Sequence, residues 1–181
     1  MIKLGMLLFV AAGASVAGPG AWSEPAEVRH EETLSLSYRA RLDGPFLVVQ
    51  ATIEPGWHTF AMDNKLRAEE KLAGKKSLGI DHPTEIAVTG GMTAAGPWYQ
   101  TPPKDFSRPE LRWFSWGFER QALFATKIQS TGTGPVRMAV RGQACTDTIC
   151  KNIDVTIVLP AGKTQAGASS VIDLNSLVRV R

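Results

Sequence analysis

The stretch from Val136 to Leu159 reads VRMAVRGQACTDTICKNIDVTIVL and holds the only two cysteines of the chain, Cys145 and Cys150. Apolar and polar residues alternate on both sides of the pair, which is typical of half-buried β-strands. The alternation predicts strands over Val136–Arg141 and Ile153–Leu159, with the cysteines at the neck of the hairpin between them. Antiparallel strands hold opposed Cα atoms about 4.5 to 5.5 Å apart, so a disulfide is geometrically easy at this place.

The same period-two alternation, interrupted by glycine and proline, runs through most of the chain. It predicts five further strands, at Leu34–Tyr38, Phe46–Ile53, Trp57–Met62, Glu85–Thr89 and Gln121–Gln129. Glu54–Trp57 carries proline and glycine where a type II turn requires them. Asp63–Lys76 breaks the pattern with helix formers and predicts a short surface helix, capped at Asp63 or Asn64 and ended near Gly74. Seven short strands with little helix favour an all-β, immunoglobulin-like antiparallel sandwich.

Composition bounds the classes of function. The chain has 181 residues, of which 44% are hydrophobic and 20% charged, as expected for one globular domain with appendages. The net charge is +3, and the basic residues are scattered rather than clustered. Nucleic acid is therefore not expected as a partner.

The first residues predict export. Lys3 precedes an apolar run, Leu4 to Ala17, and Ala21–Ser23 offers the small-x-small pattern of a signal peptidase site. The run has about 14 residues, fewer than the ~20 that span a bilayer. We therefore expect a cleaved signal peptide over residues 1–23, a periplasmic or secreted location, and no integral membrane segment after cleavage. The domain is expected over residues 24–160, with a linker and tail over 161–181.

The cysteine pair has three interpretations. As a structural staple, a bridge closing so short a loop contributes only about 2 kcal/mol in the chain-entropy model, although exported hairpins often carry one. A structural zinc site needs four protein ligands, and the chain adds only His30, His58 and His82, which are far apart in sequence. No metal or other cofactor is therefore expected. The third interpretation is a redox-active pair. An exported chain with an even number of cysteines is expected to hold a disulfide, whether that disulfide is structural or redox-active.

Two charged residues of the cysteine loop bear on thiol chemistry. Lys151 would favour a thiolate at Cys150, and Asp147 would oppose it or collect a proton. Both also fit an ordinary role as solvated loop charges. The residues alone leave the choice between a structural and a redox-active disulfide open.

Several short motifs, in order along the chain, carry a resemblance to a known family. They are Gly56-Trp57-His58, Gly96-Pro97-Trp98, Thr101-Pro102-Pro103-Lys104, WGFERQALFATKI from Trp116, and VRGQACTDTICKNIDVTIVLP from Val140. Over about Leu34 to Pro160 the chain resembles the N-terminal, immunoglobulin-like domain of the thiol:disulfide interchange protein DsbD and its exported relatives. The resemblance implies that Cys145 and Cys150 form a redox-active centre, which takes reducing equivalents from a membrane partner and passes them to exported thioredoxin-like proteins.

The resemblance also implies a short aromatic cap loop that shields the cysteines and opens for partners. Its counterpart is expected in FSRPELRWFSW, Phe106 to Trp116, with Trp113, Phe114 and Trp116 as the shielding side chains. Where relatives commonly have an aromatic residue and prolines after the second cysteine, this chain has Lys151-Asn152, which predicts a different docking surface. Because no membrane segment or thioredoxin domain follows, a monomeric chain that meets a separate membrane thiol reductase is expected. It would act as one component of a thiol-disulfide oxidoreductase system. The alternative is a non-enzymatic binding module with a structural hairpin disulfide.

Overall fold

The computed structural model describes residues 19–160 and 171–181, and within them the chain forms twelve β-strands and one α-helix. The first six strands are β1 (Ala26–His30), β2 (Thr33–Asp43), β3 (Phe46–Ile53), β4 (His58–Phe60), β5 (Glu85–Gly90) and β6 (Met92–Gln100). The other six are β7 (Lys104–Asp105), β8 (Trp116–Phe118), β9 (Gln121–Ser130), β10 (Val136–Cys145), β11 (Cys150–Leu159) and β12 (Val178–Arg179). The helix, α1, spans Asn64–Leu72.

The strands form two antiparallel sheets. The first sheet has the order β1-β2-β3-β9-β6-β12. The second has the order β11-β10-β4-β8-β7, with β5 also paired to β10. The predicted fold class, an all-β immunoglobulin-like sandwich with a short helix, is confirmed.

The core lies between the two sheets and follows the predicted alternation. Leu36, Val49 and Phe124 of the first sheet belong to one buried cluster with Val140 and Ile157 of the second. Burying each such side chain contributes about 1.5 to 3 kcal/mol relative to leaving it exposed. The alternation therefore identified the core-facing side of the strands.

The sequence pattern missed four strands, β1, β6, β7 and β8, and left open whether the final residues form an edge strand, which they do as β12. In β6 the register shifts between Ala94 and Trp98, where Pro97 has no N–H to donate to a sheet ladder. β7, β8 and β12 have only two or three residues each, too few for a visible period. β12 pairs with β6, so the final residues add an edge strand to the first sheet.

The predicted helix is shorter than expected, because α1 ends where Ala73 and Gly74 take left-handed backbone conformations. Asp63 occupies the N-cap position but makes no capping bond. Its carboxylate instead accepts hydrogen bonds from Arg67 Nε and Gln100 Nε2, each at 2.8 Å. Among the residues the structure describes, no helix has the length and hydrophobicity to cross a membrane.

The proposed boundaries of the domain lie partly outside the described residues. Most of the expected signal peptide, residues 1–18, and the expected linker, residues 161–170, are among the residues not described. At the N-terminal end, the amides of Gly20 and Ser23 donate to the carbonyls of Leu42 and Ala40. These bonds extend the pairing along the same edge of β2 past the start of β1.

Candidate functional site

Cys145 and Cys150 are joined by a disulfide and pair directly across the β10–β11 ladder, with their Cα atoms 4.0 Å apart. Successive side chains of a strand point to opposite faces of the sheet. Val140 and Ala144 of β10 face the core cluster, and the ten-pair register of this ladder has no shift. Cys145 therefore lies on the outer face of the second sheet, and Cys150, directly opposite, shares that face.

The two cysteines differ in exposure. Cys150 is exposed, whereas Cys145 is only 3% exposed although it faces away from the core. The turn between them is held by its own hydrogen bonds. Thr146 N donates to Ile149 O at 2.8 Å, and Thr146 Oγ1 accepts from the amides of Thr148 and Ile149.

A second hairpin lies on the other side of β4. β7 pairs with β8, and the pairing continues outward through Phe106 N, which donates to Ser115 O at 2.9 Å, and through a bridge between Arg108 and Trp113. A 3-10 turn at Pro109–Leu111 closes it. We call residues 104–118 the cap hairpin; it contains the whole segment predicted as a cap loop.

The two faces of the cap hairpin carry different aromatic residues. Phe106 and Trp113 share a face, because Arg108 pairs with Trp113 and Phe106 is two residues from Arg108. Phe114 and Trp116 belong to the opposite face; Phe114 is half-buried, and Trp116 packs against the core cluster. Of the three aromatic residues predicted to shield the cysteines, the structure places only Trp113 on the face that carries the site.

Phe106 connects the cap hairpin to the cysteines through His58. The register of β4 and β10 places His58 directly opposite Cys145, on the same outer face. The Phe106 and His58 rings lie 5.0 Å apart, and the His58 ring meets Phe60 edge-on at 5.3 Å. The rings of Phe60, His58 and Phe106 therefore pack together next to the buried Cys145.

A pocket of about 140 Å³ opens between the cap hairpin and the cysteine loop. Its lining residues come from both, and they are His58, Phe106, Arg108, Trp113, Glu119, Thr146 and Asp147. Trp113 Nε1 donates to Asp81 Oδ2 at 3.0 Å, which ties the cap hairpin to the segment that precedes β5. The pocket is thus mixed in charge, with one guanidinium and two carboxylates among its walls.

Gly142 allows the segment before β5 to lie close to β10. A Cβ at this glycine would meet the carbonyl oxygen of Pro83 at 2.8 Å, closer than real Cβ contacts come. Any larger residue would push Pro83 and Thr84 away from the strand. We infer that this close approach helps to place Asp81 beside Trp113.

The two charged residues singled out in the cysteine loop lie in different places. Asp147 lines the pocket together with His58. Lys151 pairs with the core-facing Ala144, so its side chain leaves β11 on the face opposite to that of Cys150, and it is exposed. Adjacency in sequence therefore does not bring the Lys151 ammonium group to the outer face that carries Cys150.

His58 has an unusual electrostatic environment. Burial lowers its pKa below the ordinary 6.5, while the carboxylates of Asp81, Glu119 and Asp147 act in the opposite direction. Its Nε2 is buried and has no hydrogen-bond partner among the described residues. Residues 19–160 and 171–181 contain no group of three His, Cys, Asp or Glu side chains arranged to hold a metal ion.

Sequence reasoning missed His58 and Phe106 as members of the site. The sequence offers His58 as a candidate metal ligand and as part of the Gly56-Trp57-His58 motif, and Phe106 as the first residue of the cap segment, but it assigns neither of them to the cysteine site. Strand parity could have found part of this, because Phe106, Arg108 and Trp113 are brought to one face by a hairpin whose tip is Pro109–Leu111. The pairing of β4 with β10 had no sequence signal, because the two strands are separated by more than 70 residues of chain.

Comparison with solved structures gives the same fold. The chain is similar to the N-terminal periplasmic domain of ScsB from Proteus mirabilis, with a TM-score of 0.56 and 14% sequence identity. The match covers 86% of this chain and 56% of that chain, so this chain spans little more than half of its length. The N-terminal domain of Neisseria meningitidis DsbD, in the reduced form, matches with a TM-score of 0.38 and 11% identity over 79% of this chain and 87% of that one, too distant to support an inference. No protein-family model and no curated protein matches the sequence.

Proposed function

We propose that this chain is an exported thiol-disulfide exchange domain that passes reducing equivalents through Cys145 and Cys150 to thioredoxin-like partners. The observation that carries the proposal is the position of the disulfide, on the outer face of the second sheet and across a small pocket from the cap hairpin, with one cysteine exposed and the other buried. Exchange requires that a partner reach one sulfur while the second is held ready to release it. The site offers both.

A purely structural role would gain little at this place. The β10–β11 ladder contains ten residue pairs, and the turn between the cysteines has its own hydrogen bonds. A loop of this size is worth only about 2 kcal/mol in the chain-entropy model, before the ladder is counted. The bridge also joins neighbouring strands of one sheet, whereas a bridge between the two sheets would constrain the fold far more.

The difference in exposure supports a separate role for each sulfur. Cys150, as a thiolate, attacks a sulfur of the partner's disulfide, and the partner's other sulfur leaves as a thiolate. Cys145 then attacks Cys150 Sγ, the bond to the partner breaks, and the partner leaves with two electrons more. This chain ends with the Cys145–Cys150 disulfide that the structure contains.

The cap hairpin is proposed to shield the pair between encounters. Phe106 rests on His58, beside Cys145, and Trp113 is hydrogen-bonded to Asp81. Breaking these contacts would let the outer part of the cap hairpin, from Phe106 to Trp113, move away from the cysteines, because the core packing of the hairpin comes from its base. Trp116 would stay in place as part of the core packing.

The proposed partners follow from the direction of electron flow. A separate membrane thiol reductase would reduce the disulfide, and exported thioredoxin-like proteins would oxidise the dithiol. The apolar N-terminal segment and the oxidised state of the pair support export to an oxidising compartment. Likeness in fold to the N-terminal periplasmic domain of ScsB supports the same assignment.

Single-cysteine variants test the proposal. The acceptor is a purified thioredoxin with its second active-site cysteine replaced by serine and its first joined to 2-nitro-5-thiobenzoate. We expect the Cys145→Ala variant, which retains the exposed Cys150, to form a stable mixed disulfide that non-reducing electrophoresis detects. The matched Cys150→Ala variant, which retains only the buried Cys145, should form far less.

The result also separates the proposal from its rival, a non-enzymatic binding module with a structural disulfide. Equal trapping by both variants would contradict the assigned roles of the two sulfurs. If neither variant forms a mixed disulfide while both react with small disulfides in urea, the exchange function is wrong and the binding module is favoured.

A further inference from the structure

His58 is the residue that the sheet places across from the buried cysteine. β4 and β10 pair at two positions, Thr59 with Ala144 and His58 with Cys145. Residues directly opposite in an antiparallel pair have Cβ atoms about 4.5 to 5.5 Å apart and project from the same face. The imidazole and the Cys145 sulfur are therefore neighbours on the outer face of the second sheet.

The imidazole is held in place and lacks a hydrogen-bond partner. Its ring is enclosed by Phe60 and Phe106, and its Nε2 is buried without a partner among the described residues. Burial lowers the pKa of His58, so the ring is neutral at neutral pH. A neutral imidazole carries one nitrogen lone pair that can accept a proton.

Charged groups from four parts of the chain lie around His58. Asp81 from the segment before β5, Glu119 from the turn after β8 and Asp147 from the cysteine loop all favour the protonated ring. Arg108 and Lys104 of the cap hairpin are the cations nearby, and Lys104 Nζ is paired with Glu119 at 2.9 Å. Three carboxylates thus surround a ring that is neutral before the reaction and would become cationic during it.

The buried sulfur needs such a neighbour. The attacking species in disulfide exchange is the thiolate, and a thiol with an ordinary pKa of about 8.5 is mostly protonated at neutral pH. Cys145 is 3% exposed, so bulk water cannot readily take its proton. The Lys151 side chain leaves β11 on the opposite face and does not compensate.

We propose that His58 is the proton acceptor for Cys145 in the step that releases the partner, an inference that rests on the exchange function proposed above. The Cys145 thiol gives its proton to the imidazole as its sulfur attacks Cys150 Sγ. The Cys145–Cys150 bond forms, the bond between Cys150 and the partner's sulfur breaks, and that sulfur leaves as a thiolate. In the reverse direction an incoming thiolate opens the disulfide at Cys150, Cys145 leaves as a thiolate, and His58 passes to it a proton that the ring has first taken up from solvent.

Ellman's reagent, 5,5′-dithiobis(2-nitrobenzoate), separates the two steps without a protein partner. The reduced protein releases one thionitrobenzoate when exposed Cys150 attacks the reagent, and a second when Cys145 displaces the group left on Cys150. For His58→Gln we expect the second release to slow about 10²-fold at neutral pH, the lower end of the range for a positioned proton acceptor. The first release should keep its rate. His82→Gln is the matched control, because His82 is exposed and outside the β4 strand that faces Cys145.

The pH profile gives a readout that a merely structural role would not produce. In the wild type, the rate of the second release should change little between about pH 6.5 and 8.5 and fall below that range as His58 becomes protonated. In His58→Gln, the rate should instead fall about tenfold for each unit by which the pH is lowered over this range, because the rate then follows the thiolate fraction of Cys145.

Two outcomes would overturn the inference. One is a His58→Gln profile identical to that of the wild type. The other, which needs no variant and so holds if His58→Gln does not fold, is a tenfold fall per pH unit in the wild type itself. Both leave the exchange function intact, because that function is tested separately by the single-cysteine variants and thioredoxin.

Discussion

Cys145 and Cys150 share one bond but have different surroundings. Cys150 begins β11 at the exposed end of the hairpin, whereas Cys145 is buried although it faces away from the core. A sulfur on the outer face of a sheet is buried only when another part of the chain covers it. His58 lies opposite Cys145 and its ring is 5.0 Å from that of Phe106, so we propose that the cap hairpin contributes to this cover.

Removing the cover should expose the disulfide. We expect Phe106→Ala to speed reduction of the Cys145–Cys150 bond by dithiothreitol by roughly tenfold, because access to the sulfurs limits exchange. Quenched samples alkylated with a mass-tagged maleimide would measure the rate. Phe114→Ala, the same change on the opposite face of the cap hairpin, is the control and should leave the rate close to that of the wild type. Equal rates for Phe106→Ala and the wild type would show that Phe106 does not shield the pair.

At the residue scale the sequence predicted the disulfide but not the contacts around it. Two cysteines flanked by alternating strands were enough to predict a disulfide at a hairpin neck, because the register of a hairpin is local. The partner of Cys145 across the sheet, His58, depends on the pairing of β4 with β10, which are distant in the chain. Lys151 illustrates the opposite error. It follows Cys150 directly in sequence, but its side chain leaves β11 on the other face of the strand.

The β10–β11 hairpin should fold without its disulfide. The Cys145→Ala/Cys150→Ala variant is expected to lose well under the ~2 kcal/mol that the chain-entropy model assigns to a loop of this size, because ladder and turn already order the hairpin. Urea unfolding at neutral pH measures the change. Ile157→Ala, in the buried face of the same hairpin, provides the scale and should cost about 2 to 5 kcal/mol. A loss of several kcal/mol in the double-cysteine variant would indicate a structural disulfide.

Three separate parts of the fold also meet at the buried carboxylate of Asp63. It accepts hydrogen bonds from Arg67 of α1 and Gln100 of β6, and Arg181, beyond β12, lies against it. Burial acts to raise the pKa of Asp63, but the hydrogen bonds from Arg67 and Gln100 outweigh it and lower the pKa below 3.8. The ionised Asp63 carboxylate therefore stabilises the folded protein above pH 3.8, and this stabilisation is lost as the pH falls through the lower pKa of the folded state.

We expect Asp63→Asn to lower the free energy of unfolding by about 2 kcal/mol at pH 7, because charge-assisted hydrogen bonds are lost. The difference from the wild type should shrink when both proteins are compared below pH 3. Glu70→Gln removes the exposed partner of Arg181 and should change stability by less than about 0.5 kcal/mol. Thermal unfolding at both pH values checks the pair. A Glu70→Gln loss as large as that of Asp63→Asn would contradict the assignment to the buried carboxylate.

Elements with a clean period were predicted from the sequence, and short or interrupted ones were not. β10 and β11 have ten residues each and show their buried faces as alternation, and β3 and β9, with eight and ten residues, are long apolar runs bounded by turns. β7 and β8 have two and three residues and gain order only from their neighbours, β4 and each other. Phe106 to Trp116 was therefore predicted as a loop, whereas the structure places these residues in the cap hairpin.

In the whole molecule, the candidate site lies on only one of the two sheets. The first sheet carries none of the residues of the candidate site. The site crosses the second sheet in its strand order, from Cys150 on β11 through Cys145 on β10 and His58 on β4 to the cap hairpin. The disulfide on the outer face of the sandwich therefore lies apart from the core packed between the sheets.

The reduction potential of the Cys145–Cys150 pair tests the central claim most directly. It can be measured by equilibrating the wild-type protein with thioredoxin or glutathione buffers of known potential and quantifying the alkylated thiols. An exchange domain should have a potential between about −120 and −300 mV, the range of proteins that exchange with thioredoxin-like partners. A value well below about −300 mV is characteristic of a structural disulfide and would contradict the proposed function.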